Sequence, residues 1–345
     1  MKTLKPLHLL ALAGLALASL TAPVAAQTEN PPPAVVPADP TNAALVYWRA
    51  WSLEPTNLAD DIKNKFDSAK AVDPKGELAE LLRKPETTQV IRQLLHASGL
   101  PECDFGIVYS EGFMALLPHL SKFRASARLL AADSALATAE GRMDDAAERI
   151  AAIYRMSRQL SREGILISSL VSPAVGGLAH AQVKTIADAG KFSPAQAAAL
   201  VAELDAYSTA DPFGMRRSLE TEGSVMTAWI EKNFTGPDAG ARLADSLVND
   251  AQLDSDTPVE GIRILNEEAL HATTVQIRQY YRMCLEVFDL PDAEDRLNAL
   301  AKDVADGKFG PLAHVMAPAV TKIVAADRKC RNELASSRQI LSEVK

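Results

Sequence analysis

The sequence predicts an all-α fold, and three observations carry that prediction. Apolar residues recur at spacings of three and four almost everywhere along the chain. Alanine, the best helix former, is abundant, and the β-branched alternation of strands is nearly absent. Proline and glycine then cut the 345-residue chain into segments of helical length. The expected architecture is a set of antiparallel helical hairpins packed as a bundle or a short α-solenoid.

The first element reads as a secretory signal peptide. Lys2 and Lys5 give a positive start, Leu7 to Leu20 is mostly apolar, and small residues follow up to Ala26. That order predicts cleavage after Ala26 and an exported protein, periplasmic or extracellular. No cysteine sits near the cleavage point, and no later stretch reads as a second membrane span. Residues 27–40 hold five prolines and predict an extended tether. The folded part is expected over 41–345, as one domain or as two subdomains meeting at an acidic linker, 235–260. Roughly 300 residues suffice for a large core.

Within that part the spacing predicts helices over 41–53, 57–71, 76–83, 86–97, 112–139, 143–162, 165–189, 194–207, 212–233, 239–248, 259–288, 292–306 and 311–343. Thr41 or Asn42 is placed to cap the first. Ser193 and Asp211 each precede a proline and should cap the helix that follows, and Asp73 does so less clearly. Gly99, Gly141 and Gly190 stand where helices should stop. Leu100 to Gly112 reads as an irregular connector. Pro118, Pro173 and Pro318 lie among apolar and small residues, so each is expected inside a kinked helix, with Ser172 placed to satisfy a freed carbonyl. Gly176 and Gly177 should allow close helix contact. The stretches 118–128 and 318–328 share proline, hydroxyl, lysine and arginine offsets. The hairpin expected at about 120–162 is similar to a tetratricopeptide unit in the spacing of Ser134, Gly141, Ala146 and Ile150, but no second copy follows at that period.

Several function classes are disfavoured. The net charge is −8, or −10 once Lys2 and Lys5 are removed. An acidic chain without a basic block is a poor binder of nucleic acid, and no membrane insertion is expected after cleavage. Cys103, Cys284 and Cys330 are an odd number, which leaves one disulfide or three thiols open, and Cys284 reads as a packed apolar side chain. No nucleophile elbow, phosphate loop or dinucleotide fingerprint occurs. No cofactor and no metal site are expected. Glu268 and His271 share a helix face at di-iron spacing, but a second copy is missing, so a solvated face is the reading. Asp60 and Asp61, Asp144 and Asp145, and Glu267 and Glu268 are neighbours that point about 100° apart on a helix and do not converge. Asp250, Asp254, Asp256 and Glu260 fail the EF-hand pattern at Val259 and Leu265.

Two features remain as a candidate ligand or partner surface. One is the aromatic group Tyr47, Trp48 and Trp51, which reads first as core and, where exposed, as a contact surface. The other is Cys103, Asp104 and Phe105 in the connector, with His119 beyond it, expected to bond the carbonyl that Pro118 frees. The function expected is a non-enzymatic helical scaffold or binding module of the cell envelope, with an unknown protein or small ligand as partner. The alternative is an enzyme or metal-binding protein whose site is assembled from scattered His, Asp and Glu residues.

The chain also resembles a group of exported helical proteins of planctomycete-type bacteria. The residues that carry the resemblance are Asn42–Ala50, Cys103–Gly106, Glu111 with Gly112, Leu116–Arg124, Leu166–Val171 and Pro311–Ala319. Phe105 departs from it, standing where that group would have Trp. The resemblance implies a helical fold and export, and no activity.

Overall fold

A computed structural model describes residues 39–67, 72–249 and 258–345. The expected signal peptide, nearly all of the tether, and Asp250, Asp254 and Asp256 of the acidic linker lie outside the described residues. The fold is all-α. In chain order the helices are α1 (Ala43–Ser52), α2 (Leu58–Lys65), α3 (Glu77–Arg83), α4 (Pro85–Ser98), α5 (His119–Ala139), α6 (Met143–Leu160), α7 (Leu166–Asp188) and α8 (Pro194–Asp205). They continue as α9 (Met215–Asn233), α10 (Ala239–Asn249), α11 (Glu260–Arg263), α12 (Glu267–Val287), α13 (Ala293–Ala305), α14 (Gly310–Met316) and α15 (Val320–Ser342). A 3-10 segment, Tyr109–Met114, lies in the connector between α4 and α5. Among the described residues the extended pairing is a single bridge, Asn42 to Glu102.

The helix ends follow local chemistry. The Asn42 side chain accepts from the Ala44 amide, and Ser193 and Gln196 close a full capping box on α8. Asp211 is not the N-cap of α9, which is Gly214, and the helix starts at Met215, three residues after the proline expected at its first position. Pro212 to Gly214 form a turn, and the Asp211 carboxylate accepts from the Arg216 and Arg217 amides. Gly141 and Gly190 end α5 and α7 in the left-handed region that glycine adopts at no steric cost. The long helix expected over 259–288 is two, because Asn266 caps α12.

Two of the three prolines expected inside helices are not there. Pro118 is the residue before α5, and Pro318 lies in the break between α14 and α15. Proline disfavours the helical conformation in the residue before it, and here the chain yields by breaking. Pro173 alone sits inside a helix, α7. Ser172 does not turn to its own helix there. It donates to the Ser157 carbonyl of α6, at 2.7 Å, while Ser157 donates to the Ser172 carbonyl at 2.8 Å. Gly176 lets α6 come close, since a Cβ would stand 3.2 Å from the Ser157 hydroxyl, whereas Gly177 faces open space.

Pro40 to Lys345 forms one compact unit. α7 is its axis, packing against α5, α6, α9 and α15. By length and composition alone α7 is long and apolar enough to cross a membrane, which corrects the reading that no later stretch is. In the fold 61% of that apolar stretch is buried, as suits a core helix. α5 and α6 join through the tight turn at Gly141, and Ser134 donates to the Ala146 carbonyl across them. α15 returns from the C-terminal half to pack on α7, α8 and α13. Cys103, Cys284 and Cys330 are separate thiols, with Cys284 fully buried among apolar neighbours.

Candidate functional site

The connector from Leu100 to Pro118 builds both regions that matter, and α1 holds its first half. The Ala43 amide donates to the Glu102 carbonyl at 2.7 Å. Asn42 reads Asp104 twice, its amide group donating to the Asp104 carbonyl and its oxygen accepting from the Asp104 amide, both at 2.9 Å. Phe105 is thereby laid into an aromatic stack. Its ring lies 4.3 Å from the His119 ring at 8° and 5.8 Å from Trp51 at 16°. Tyr47, Trp48 and Phe123 complete the group.

The residues singled out from sequence thus come together: Tyr47, Trp48, Trp51, Cys103, Asp104, Phe105 and His119 surround one another at the α1, α5 and connector junction. They form core more than surface. Tyr47 is fully buried and donates to Gln159, and Trp51 is buried and donates to Ser126. Trp48 and Asp104 are exposed. His119 departs from expectation. Its Nε2 meets no freed carbonyl but the Glu163 carboxylate, at 3.0 and 3.1 Å to the two oxygens, with both side chains buried. Burial, helped by the nearby Glu163 charge, pushes the Cys103 thiol up to about 12. A thiol held protonated is a poor nucleophile and a poor metal ligand. Among the described residues no three His, Cys, Asp or Glu side chains are grouped to hold a metal ion. Glu268 is exposed, His271 is half-buried, and Glu267 accepts from the Gly236 amide, so the Glu-x-x-His face is only partly solvated.

The second half of the connector builds something that sequence reasoning missed. A cavity of about 420 Å³ opens between the connector, the start of α7 and the middle of α9. Phe113, Leu117, Leu166, Ile167, Leu170 and Met226 are the largest apolar side chains in its wall, apart from Ile165 and Val225. Gly112 makes the connector's turn over α9 possible. Its φ is +55°, and a Cβ there would stand 2.5 Å from the Trp229 ring. Phe113 then meets Trp229 edge to face at 5.8 Å. Tyr109 spends its hydroxyl on the Glu163 carbonyl, which ties the cavity to the His119 pair. The one acidic group in the wall is Glu222, whose Oε2 accepts from the Leu166 amide at the N-terminus of α7, at 3.2 Å. Burial nonetheless pushes its carboxyl up to about 7, with that backbone bond pulling it down.

Large apolar side chains are also exposed on the connector and the start of α7, with Ser110 and Glu111 exposed among them. Val108, Tyr109, Phe113, Met114, Leu116, Ile167 and Leu170 are all large, apolar and exposed, Leu116 at 82%. One sequence signal could have found them: Ile167 and Leu170 are apolar on the outer side of a helix whose inner side is also apolar. A lone Glu222 carries no such signal. Comparison of the chain with protein-family models, with curated proteins and with solved structures finds no match.

Proposed function

We propose that this chain is a non-enzymatic helical binding protein of the cell envelope that takes an apolar ligand between the connector, α7 and α9. One observation carries the reading: a cavity of ligand size, about 420 Å³, is walled mostly by apolar side chains, with others exposed on the segments that build it. Ligand pockets have this size and this lining, with few polar groups. Several large exposed apolar side chains on the segments that build one pocket are the kind of surface that binds a partner or ligand. The placement in the envelope is supported by the order of charge, apolar run and small residues before Gln27. Enzyme chemistry has less support, since the His119 and Glu163 pair is covered by the Phe105 ring and the Cys103 thiol is held neutral.

The test uses Nile red, a neutral apolar fluorophore. It should bind saturably, and Leu170→Asp should weaken binding by about tenfold or more, the loss expected when a leucine contact of 1.5–3 kcal/mol is replaced by a charge. Leu170 is 39% exposed, so the fold should keep its helical circular dichroism. Binding that is unchanged by Leu170→Asp would place the dye elsewhere and refute the pocket.

A further inference from the structure

The wall of the pocket has a charge asymmetry. Glu222 is acidic, and no lysine, arginine or histidine lines the cavity. Arg217 of α9 keeps its charge at the edge of the pocket beside Gly164, donates to the Arg162 carbonyl at 2.7 Å and makes no ion pair with Glu222 among the described residues. Behind Glu222, α12 presents Tyr281, close enough for the carboxylate charge to disfavour its ionisation. Its hydroxyl is buried and has no hydrogen-bond partner among the described residues. Glu222 is therefore an acid without an ion-pair partner among the described residues, with the Thr221 and Tyr109 hydroxyls the other polar side-chain groups in a mostly apolar wall.

Resting on the binding reading above, we propose that the pocket selects an apolar amine, with its hydrocarbon body against Phe113, Ile167, Leu170 and Met226 and its ammonium on the Glu222 carboxylate. Charge complementarity decides among ligand classes. A fatty acid would bring a second negative charge into an apolar wall, where like charges repel strongly. A neutral alcohol would bury Glu222 further and leave its charge unpaired. An ammonium removes that cost, because it pairs with the carboxylate where water is excluded. The carboxyl, pushed up to about 7 by burial, is the signature of a group that lacks such a partner. The Leu166 amide fixes one carboxylate oxygen and leaves the other for the ligand.

Isothermal titration of the full chain with octylamine, octanol and octanoate, at a pH of about 8 where Glu222 is ionised, separates these classes. Octylamine should bind at least about tenfold tighter than octanol, the ratio that one charge-assisted hydrogen bond supplies. Glu222→Gln should erase that preference while octanol binding persists, and octanoate should bind Glu222→Gln better than the wild type. Leu170→Asn, which removes the apolar contact without adding a charge, should weaken octylamine and octanol together, which locates both in this pocket. Equal affinity for octylamine and octanol in the wild type, or an amine preference that survives Glu222→Gln, overturns the amine inference and leaves the apolar pocket standing. Failure of all three to bind overturns both.

Discussion

His119 and Glu163 show how one side chain can hold a connector. The histidine ring is sandwiched against Phe105 and bonded to Glu163 from 44 residues away, and Glu163 in turn lends its backbone carbonyl to Tyr109. The carboxylate accepts, so the bond is made by the tautomer that carries hydrogen on Nε2. His119→Ala should cost about 3 kcal/mol, since it leaves a carboxylate buried without its partner. Glu163→Gln keeps an acceptor in place and should cost about 1 kcal/mol or less. Urea denaturation measures both, and equal small losses would mean that the pair bears no load. None of this is legible in sequence. His119 could be singled out because it follows a proline, but its partner lies on another segment and has no motif. Glu222 is harder still, being one of 44 acidic residues, and only the fold gives it an apolar wall.

At the scale of the element, periodicity located nearly every helix, because burial on one face leaves a trace at three and four residue spacing whatever the neighbours are. Proline was less readable. Pro118, Pro173 and Pro318 sit in similar local sequence, yet only Pro173 stays inside its helix. The difference lies on α6. Ser157 and Ser172 exchange hydroxyl-to-carbonyl bonds across the two helices, with their hydroxyls 3.1 Å apart, and bind α7 straight through the proline. No such exchange is seen at Pro118 or Pro318. Where hydroxyls donate reciprocally the two should couple. Ser157→Ala and Ser172→Ala should each cost about 1–2 kcal/mol. The double variant should cost less than the sum of the two, by about 1 kcal/mol. Strict additivity in denaturant unfolding would show that the exchange does not hold α7 together across the proline.

At the scale of the whole molecule, α7 joins the halves, and a titratable group stands along it at each junction. Toward α9, Glu222 bonds the first turn of α7. Toward α15, Nδ1 of His180 lies 2.7 Å from the Ser337 hydroxyl and 3.0 Å from the Tyr154 hydroxyl of α6, which brings three helices to one ring nitrogen. Burial pushes His180 down to about 4 and Glu222 up to about 7. Their linkages to stability have opposite signs. Between about 4 and 6.5 the unfolded chain protonates His180 and the folded chain does not, so this group makes stability rise with pH. Between about 4.5 and 7 the folded chain keeps the Glu222 proton and the unfolded chain has lost it, so this group makes stability fall with pH. After screening, each contributes on the order of 1–2 kcal/mol across its window, and in the wild type the two largely cancel. Removing one should expose the other. Glu222→Gln should gain stability from pH about 4.5 to 7 relative to the wild type. His180→Asn, which places an amide oxygen where Nδ1 stood, should lose stability over nearly the same range. Urea titrations at several pH values read both slopes, and variants that track the wild-type curve in parallel would show that neither residue is desolvated in the fold.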